Sequence, residues 1–261
     1  MSSFSLICAV NDEEVLNTNL MASPDIKEMH DIVLQANARS AAIALNEGIR
    51  KARGDILIFA HQDVFLPEGW LNTVNQAIHC LNRGSNWAVL GVLGISLHGR
   101  GCGYVYSTGL KRYVGSRMPE PVPVQSLDEM VLILNACKGI EFDEGLPGFH
   151  LYGTDLCLTA RALDYPCYAL EAFCIHNSNG QRTLPPSFWT ASVYMRRKWA
   201  RLLPVKTPCI TLTRWGWPSL KDRLKTRLSL IPKPEDVGRR VRDPAALYKQ
   251  LQLYNQTKTS L

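Results

Sequence analysis

The chain has 261 residues, 46% of them apolar and 20% charged, which suffices to bury one large domain core and excludes disorder as the dominant state. No run approaches the roughly 20 uninterrupted apolar residues that span a bilayer, and residues 1–10 lack the basic start and small-residue cleavage site of a signal peptide, so a cytoplasmic protein is expected. The net charge of +6 is unevenly divided: from residue 181 on, 17 Lys+Arg face 4 Asp+Glu, whereas the 180 residues before carry 12 and 19, so an acidic body carries a basic extension suited to an anionic contact.

In chain order, SLICAV (5–10) is a short apolar strand running into the acidic start of a helix at Asn11-Asp12-Glu13-Glu14, a first βα unit. DIVLQ (31–35) is a second strand. Ser40 caps a helix whose apolar positions Ala41, Ile43, Ala44, Leu45, Ile49 and Ala52 cover one side before Gly54 stops it. DILIFA (55–60) is a third strand that runs directly into His61-Gln62-Asp63, and a helix is predicted from Pro67 to Asn82. Residues 87–97 read as one buried fourth strand. Strands alternating with helices of this length imply a mainly parallel sheet covered by helices on both faces.

Residues 99–135 change to Gly-rich, aromatic-alternating segments and read as an antiparallel ribbon. A helix over 154–163 and a strand over 167–175, ending at His176, complete the expected α/β domain, 1–180. The loop 177–187 leads across the boundary into the extension, 181–261, which continues as a basic amphipathic helix near 191–203 and a Pro-punctuated tail. The eight cysteines form no C-x-x-C pair and lie mostly in apolar runs, reading as buried thiols rather than a zinc site.

Ligands of open parallel sheets bind beyond the carboxyl ends of the strands. The polar residues there are Asn11-Asp12, Asn37-Ala38-Arg39, His61-Gln62-Asp63 and His176-Asn177. Asp63 reads either as a carboxylate sharing a hard cation with phosphate oxygens or as a turn aspartate ahead of Pro67. His176 reads as a metal ligand or as a hydrogen-bonded structural histidine. Asp155, in His150-Leu151-Tyr152-Gly153-Thr154-Asp155, is either a first-turn carboxylate favoured by the helix dipole or a base approached past an aromatic.

Two passages carry a family resemblance. Asn46-Glu47-Gly48-Ile49, Ala52-Arg53-Gly54-Asp55-Ile56-Leu57-Ile58-Phe59, His61-Gln62-Asp63-Val64 and Trp70-Leu71 form the first, and Phe149-His150-Leu151-Tyr152-Gly153-Thr154-Asp155-Leu156-Cys157-Leu158 with Ile175-His176-Asn177-Ser178 forms the second. Together they resemble the family-2-type glycosyltransferases of the GT-A fold, over roughly residues 5–180. The resemblance implies a Rossmann-like, mainly parallel sheet flanked by helices, with a small antiparallel ribbon and a helical C-terminal extension.

It also implies an inverting transfer from a nucleoside-diphosphate sugar to a glycan, lipid-linked or protein acceptor, assisted by Mn2+ or Mg2+. Asp63 then corresponds to the metal-binding aspartate of D-x-D, His176 to a further metal ligand and Asp155 to the catalytic base. His61 replaces the first aspartate and would touch the ribose or diphosphate. Gly153 stands where an acidic residue is commoner. Asn11, Asn37, Arg39 and Asn46 would serve the donor, while Asp128, Glu129, His150, Tyr152 and Arg182 are further donor or acceptor contacts.

Two other classes compete. A nucleotidyltransferase would need a basic triphosphate loop at the first strand, and residues 9–15 contain no Lys or Arg. A non-catalytic binding protein would use the extension, where Arg196-Arg197-Lys198 with Trp189, Tyr194 and Trp199 suits the anionic inner face of a membrane better than nucleic acid.

Overall fold

The structure is a computed structural model and describes residues 3–181, 183–215 and 237–259, with side chains in the last stretch described to residue 253. Its strands are β1 (Phe4–Val10), β2 (Asp31–Ala36), β3 (Ile56–Ala60), β4 (Val64–Phe65), β5 (Val89–Gly91), β6 (Leu93–Ser96), β7 (Gly101–Ser107), β8 (Arg112–Ser116), β9 (Val122–Leu127), β10 (Val131–Asn135), β11 (Cys167–Ala169), β12 (Ile175–His176), β13 (Val205–Lys206) and β14 (Thr211–Leu212). The helices are α1 (Glu13–Thr18), α2 (Ala41–Lys51), α3 (Trp70–Asn82), α4 (Tyr152–Ala162), α5 (Pro186–Lys198) and α6 (Pro244–Thr259).

The main sheet runs β2-β1-β3-β10-β5-β11-β9-β6-β7-β12-β4, with β8 beside β7, and β13-β14 form a small separate antiparallel pair. The expected parallel sheet is its first part, β2-β1-β3. Alternation along these strands serves two cores. Ile7, Leu57 and Phe59 face α2, α4 and α5, whereas Leu6, Ile58 and Ala60 face Trp70, Val74 and Ile78 of α3.

Three readings of the sequence change. The run 87–97 is two strands, because Gly91 and Gly94 lie so close to Leu127 that a Cβ there would sit 2.9 Å from its side chain, and the chain swings at Val92 from one part of the sheet to another. β10 is no ribbon strand. It enters antiparallel between β3 and β5, and its VLIL run is buried on both faces as a central strand requires. Residues 167–176 likewise divide into β11 and β12. Helix starts follow the sequence better: the Ser40 hydroxyl accepts from the Ile43 N–H, and Asp12 caps α1 through the Val15 N–H.

The described part of the extension packs on the body. Phe188, Trp189, Met195, Val205 and Leu212 are buried in the same core as β1 and β3. The α5 aromatics therefore turn inward, and the Tyr194 hydroxyl donates to Asp143 at 2.7 Å. No described helix is long and apolar enough to cross a membrane, and all eight cysteines are free.

Candidate active site

A cleft of about 470 Å3 opens beyond the carboxyl ends of β1, β2 and β3, lined among others by Asn11, Asn37, His61, Asp63, Phe149 and Tyr152. Its wall is set by short-range chemistry. Gln62 Oε1 accepts from the N–H groups of Asn11 and Asp12 at 3.0 and 3.1 Å, and its amide donates to Asn11 Oδ1 at 2.5 Å, which locks the β1 and β3 ends together. Asn37 takes a left-handed turn, φ 54°, a conformation asparagine tolerates, and its N–H reaches Val10 O at 3.1 Å.

At His61 and Asp63 three side chains converge. β4 and β12 pair antiparallel with His176 opposite Val64, and the Asn177 N–H donates to Asp63 O at 2.8 Å. That pairing brings His176 Nε2 to 3.4 Å from Asp63 Oδ1. The His61 and His176 rings lie 5.9 Å apart, and one donor atom from each of His61, Asp63 and His176 falls within 4.8 Å of the others. His61 Nε2 is fixed by the Tyr152 hydroxyl at 2.7 Å. On the far side of Asp63, Arg240 Nη2 stands 3.5 Å from Oδ2.

The electrostatics follow from this geometry. Burial works against an ionised Asp63, but the His176 hydrogen bond and the charges of the two histidines and Arg240 outweigh it and hold the carboxyl far below the usual range. Burial also pulls His176 down, yet its bond to Asp63 wins and raises it. His61 is lowered by burial. Two imidazole nitrogens and an ionised carboxylate form a donor set that a divalent transition-metal ion can use, so the residues fit a metal.

Asp128 and Glu129 lie just before β10, whose neighbour in the sheet is β3; the His61 N–H donates to Met130 O at 3.0 Å, which places this pair beside the site. Burial, reinforced by Asp128, pushes the Glu129 carboxyl up to about 8, against the pull of the backbone N–H groups of Leu151 and Gly153 at the start of α4. Gly153 is required there, since a Cβ would lie 2.9 Å from Leu127 O.

Other expected residues sit elsewhere. Asp155 is 1% exposed and does not line the cleft. Its Oδ1 accepts from Lys198 Nζ at 2.8 Å and Trp199 Nε1 at 2.6 Å, and its Oδ2 from Lys198 Nζ at 2.9 Å. The carboxylate is thus enclosed by its own donors, and the structure does not bring it to the cleft. Asn46 does not line the cleft either: it is 2% exposed and pairs with both backbone groups of Phe142, at 2.9 Å each. His150 packs on Phe188, with ring centroids 5.6 Å apart. Arg39 is exposed, next to the lining residue Ala38, and Arg182 lies outside the described residues.

Sequence reasoning gave no individual role to Gln62 or Phe149, placed Lys198 in a basic patch rather than on Asp155, and missed Arg240. Gln62 stands inside a motif already singled out, whereas Arg240 lies 177 residues from Asp63 and nothing local marks it.

Residues 7–85 match the family model "Glycosyl transferase family 2". A curated relative, "ATP synthase subunits region ORF 6" of Fuscovulum blasticum, is 29% identical over 167 residues, 62% of this chain and 66% of its own length. Among solved structures, GalNAc-T7 with UDP, GalNAc and Mn2+ superposes with a TM-score of 0.52 at 10% identity, over 75% of this chain and 48% of that one. The mannosyltransferase PcManGT of Pyrobaculum calidifontis, in complex with GDP-Man and Mn2+, gives a TM-score of 0.47 at 10% identity, over 87% and 70%. The chain thus spans about two thirds of that curated relative and about half of the GalNAc-T7 chain. With the mixed sheet, its two helical layers and the cleft at the strand ends, the superposition on GalNAc-T7 shows a GT-A fold, and residues 7–85 within it are similar to glycosyl transferase family 2.

Proposed function

We propose that the domain transfers a sugar from a nucleoside-diphosphate sugar to an acceptor hydroxyl with inversion at the anomeric carbon. The observation that carries this reading is the convergence of His61, Asp63 and His176, the first two of which line a cleft otherwise formed mostly by amides and apolar side chains. The nucleoside lies along Asn11 and Asn37 against Phe149, with Arg39 at the rim. Asp63, His176 and His61 would hold a divalent ion, which supplies Lewis-acid neutralisation of the diphosphate.

Tyr152 orients His61 by occupying its Nε2. Glu129 serves as the base in place of Asp155. Its carboxylate takes the acceptor proton as the acceptor oxygen bonds to the anomeric carbon, while the bond from that carbon to the diphosphate oxygen breaks and the nucleoside diphosphate departs with the electron pair. A base that is half ionised near pH 8 is well matched to a hydroxyl whose acidity grows only as bonding advances. Acceptors of glycan, lipid-linked or protein character are all compatible with this chemistry.

The test is thermal shift and donor turnover with a panel of nucleoside-diphosphate sugars, with and without Mn2+, on wild type and Asp63→Ala. Stabilisation by one donor that needs Mn2+ and vanishes in Asp63→Ala is the expected result. A wild type that no donor stabilises or reacts with, in either metal condition, would sink the reading.

A further inference from the structure

Residues 237–243, between the α5 region and α6, form a strap beside the cleft, and its seat is built rather than incidental. The Gly238 N–H donates to Gly109 O at 2.9 Å, and the Gly180 N–H donates to Gly238 O at 3.0 Å. A Cβ at Gly238 would lie 1.8 Å from Thr108 O, and one at Gly180 would lie 2.4 Å from Gly109 O, so the backbones meet at a distance only glycine allows. Three residues on, fully buried Asn177 clamps Val241 through both backbone groups: the Val241 N–H donates to Oδ1 and Nδ2 donates to Val241 O, each at 2.8 Å. Asn179 Oδ1 accepts from the Arg240 N–H at 3.0 Å.

Arg240 is held between these anchors. Its Nε donates to Asn177 O at 2.8 Å and its Nη2 lies 3.5 Å from Asp63 Oδ2, with the side chain 28% exposed. These contacts involve two of the five N–H donors of the guanidinium. A fixed, permanently charged fork thus stands beside the carboxylate that faces the metal-ligating histidines. A pair formed only to neutralise Asp63 would not call for a strap fastened through five backbone groups of Gly238, Arg240 and Val241.

We propose that Arg240 is a donor-binding residue, supplied by the C-terminal strap, which binds the diphosphate of the nucleotide sugar and carries part of the charge of the departing nucleoside diphosphate. This rests on the nucleotide-sugar reading of the cleft. The diphosphate site is then incomplete without residues 237–243, although nearly the whole cleft is built from the first 152 residues. A planar fork suits two phosphate oxygens at once, which a lysine ammonium does not.

The test is calorimetric titration of UDP and GDP, and of uridine and guanosine, into wild type, Arg240→Met and Arg240→Lys, each with Mn2+ and with EDTA, after unliganded melting temperatures establish folding. The expected result is at least tenfold weaker diphosphate binding in Arg240→Met with nucleoside binding unchanged, and a smaller loss in Arg240→Lys. If Arg240→Met fails to fold, Arg240→Lys decides alone, and undiminished diphosphate affinity overturns the proposal. Wild-type diphosphate affinity in a folded Arg240→Met also overturns it and leaves the nucleotide-sugar reading intact. A wild type that binds neither diphosphate overturns both, so the two failures are distinct.

Discussion

Lys198, in the last turn of α5, places its ammonium 2.8 and 2.9 Å from the two carboxylate oxygens of Asp155, in the first turn of α4, and 2.7 Å from Asp143. The contact joins two helices and covers the carboxylate, whose side chain is 2% exposed while that of Lys198 is 25% exposed. Burial raises the Asp155 carboxyl and the Lys198 and Trp199 hydrogen bonds pull it back, the net being upward. The geometry is that of a structural clasp.

Asp155→Asn should therefore act on stability. Removing one partner of a buried pair typically costs about 3–5 kcal/mol, and because Lys198 keeps Asp143 and some solvent the cost here should be nearer to about 2 kcal/mol. Denaturant titration measures it. At a temperature where the variant is folded, kcat/KM should stay within about threefold, whereas loss of a true base would lower it by about 10²–10⁴.

Glu129 gives the opposite signature. The base must be ionised, and burial beside Asp128 raises its carboxyl to about 8, so the active fraction grows as pH rises and falls away on the acid side. The profile of kcat/KM, which reports the free enzyme, should climb through about pH 8 in wild type. Glu129→Gln should lose about two or more orders of magnitude and the rising limb together. A rising limb that survives the substitution would assign the base elsewhere.

The sequence made the first βα units legible because each βα boundary there carries its own local signal: alternation in DIVLQ, a run buried on both faces in DILIFA, and caps at Asp12 and Ser40. Asp63 and His176 stood out as candidates for the same reason, as polar residues directly after apolar strands, and the fold brings them together. What stayed hidden depends on pairing between distant segments. The insertion of β10 between β3 and β5 is written in no window of its own sequence, since a buried central strand and a ribbon strand share the pattern VLIL. The pairing of Asp155 was hidden because its partners Lys198 and Trp199 lie over 40 residues away, and Arg240 was missed because a single basic residue among many in a basic extension carries no local mark.

Gly48 fixes the distance between α2 and the sheet. A Cβ there would sit 2.2 Å from Ile7 Cγ2, on a fully buried strand residue that cannot retreat. Gly48→Ala gains helix propensity of about 1 kcal/mol, but overpacking costs about 1–3 kcal/mol, and with so short a contact the second effect wins. The melting temperature should drop by several degrees, and a rise would show that α2 can lift without loss.

Tyr152 separates metal affinity from folding. Its ring packs edge-on to Phe142, with centroids 5.8 Å apart, while its hydroxyl contacts His61 Nε2 at 2.7 Å and donates to Glu129 O at 3.3 Å. Tyr152→Phe keeps the ring and deletes the hydroxyl, so the core should hold to within about 1–2 kcal/mol, the usual worth of such a hydrogen bond. His61 then loses the partner that fixes its ring, and partners of this kind are worth about 10–100-fold in metal affinity. Mn2+ titration followed by electron paramagnetic resonance should show binding at least tenfold weaker than in wild type. An unchanged Mn2+ affinity would mean that Asp63 and His176 alone set the site and that His61 belongs to the donor.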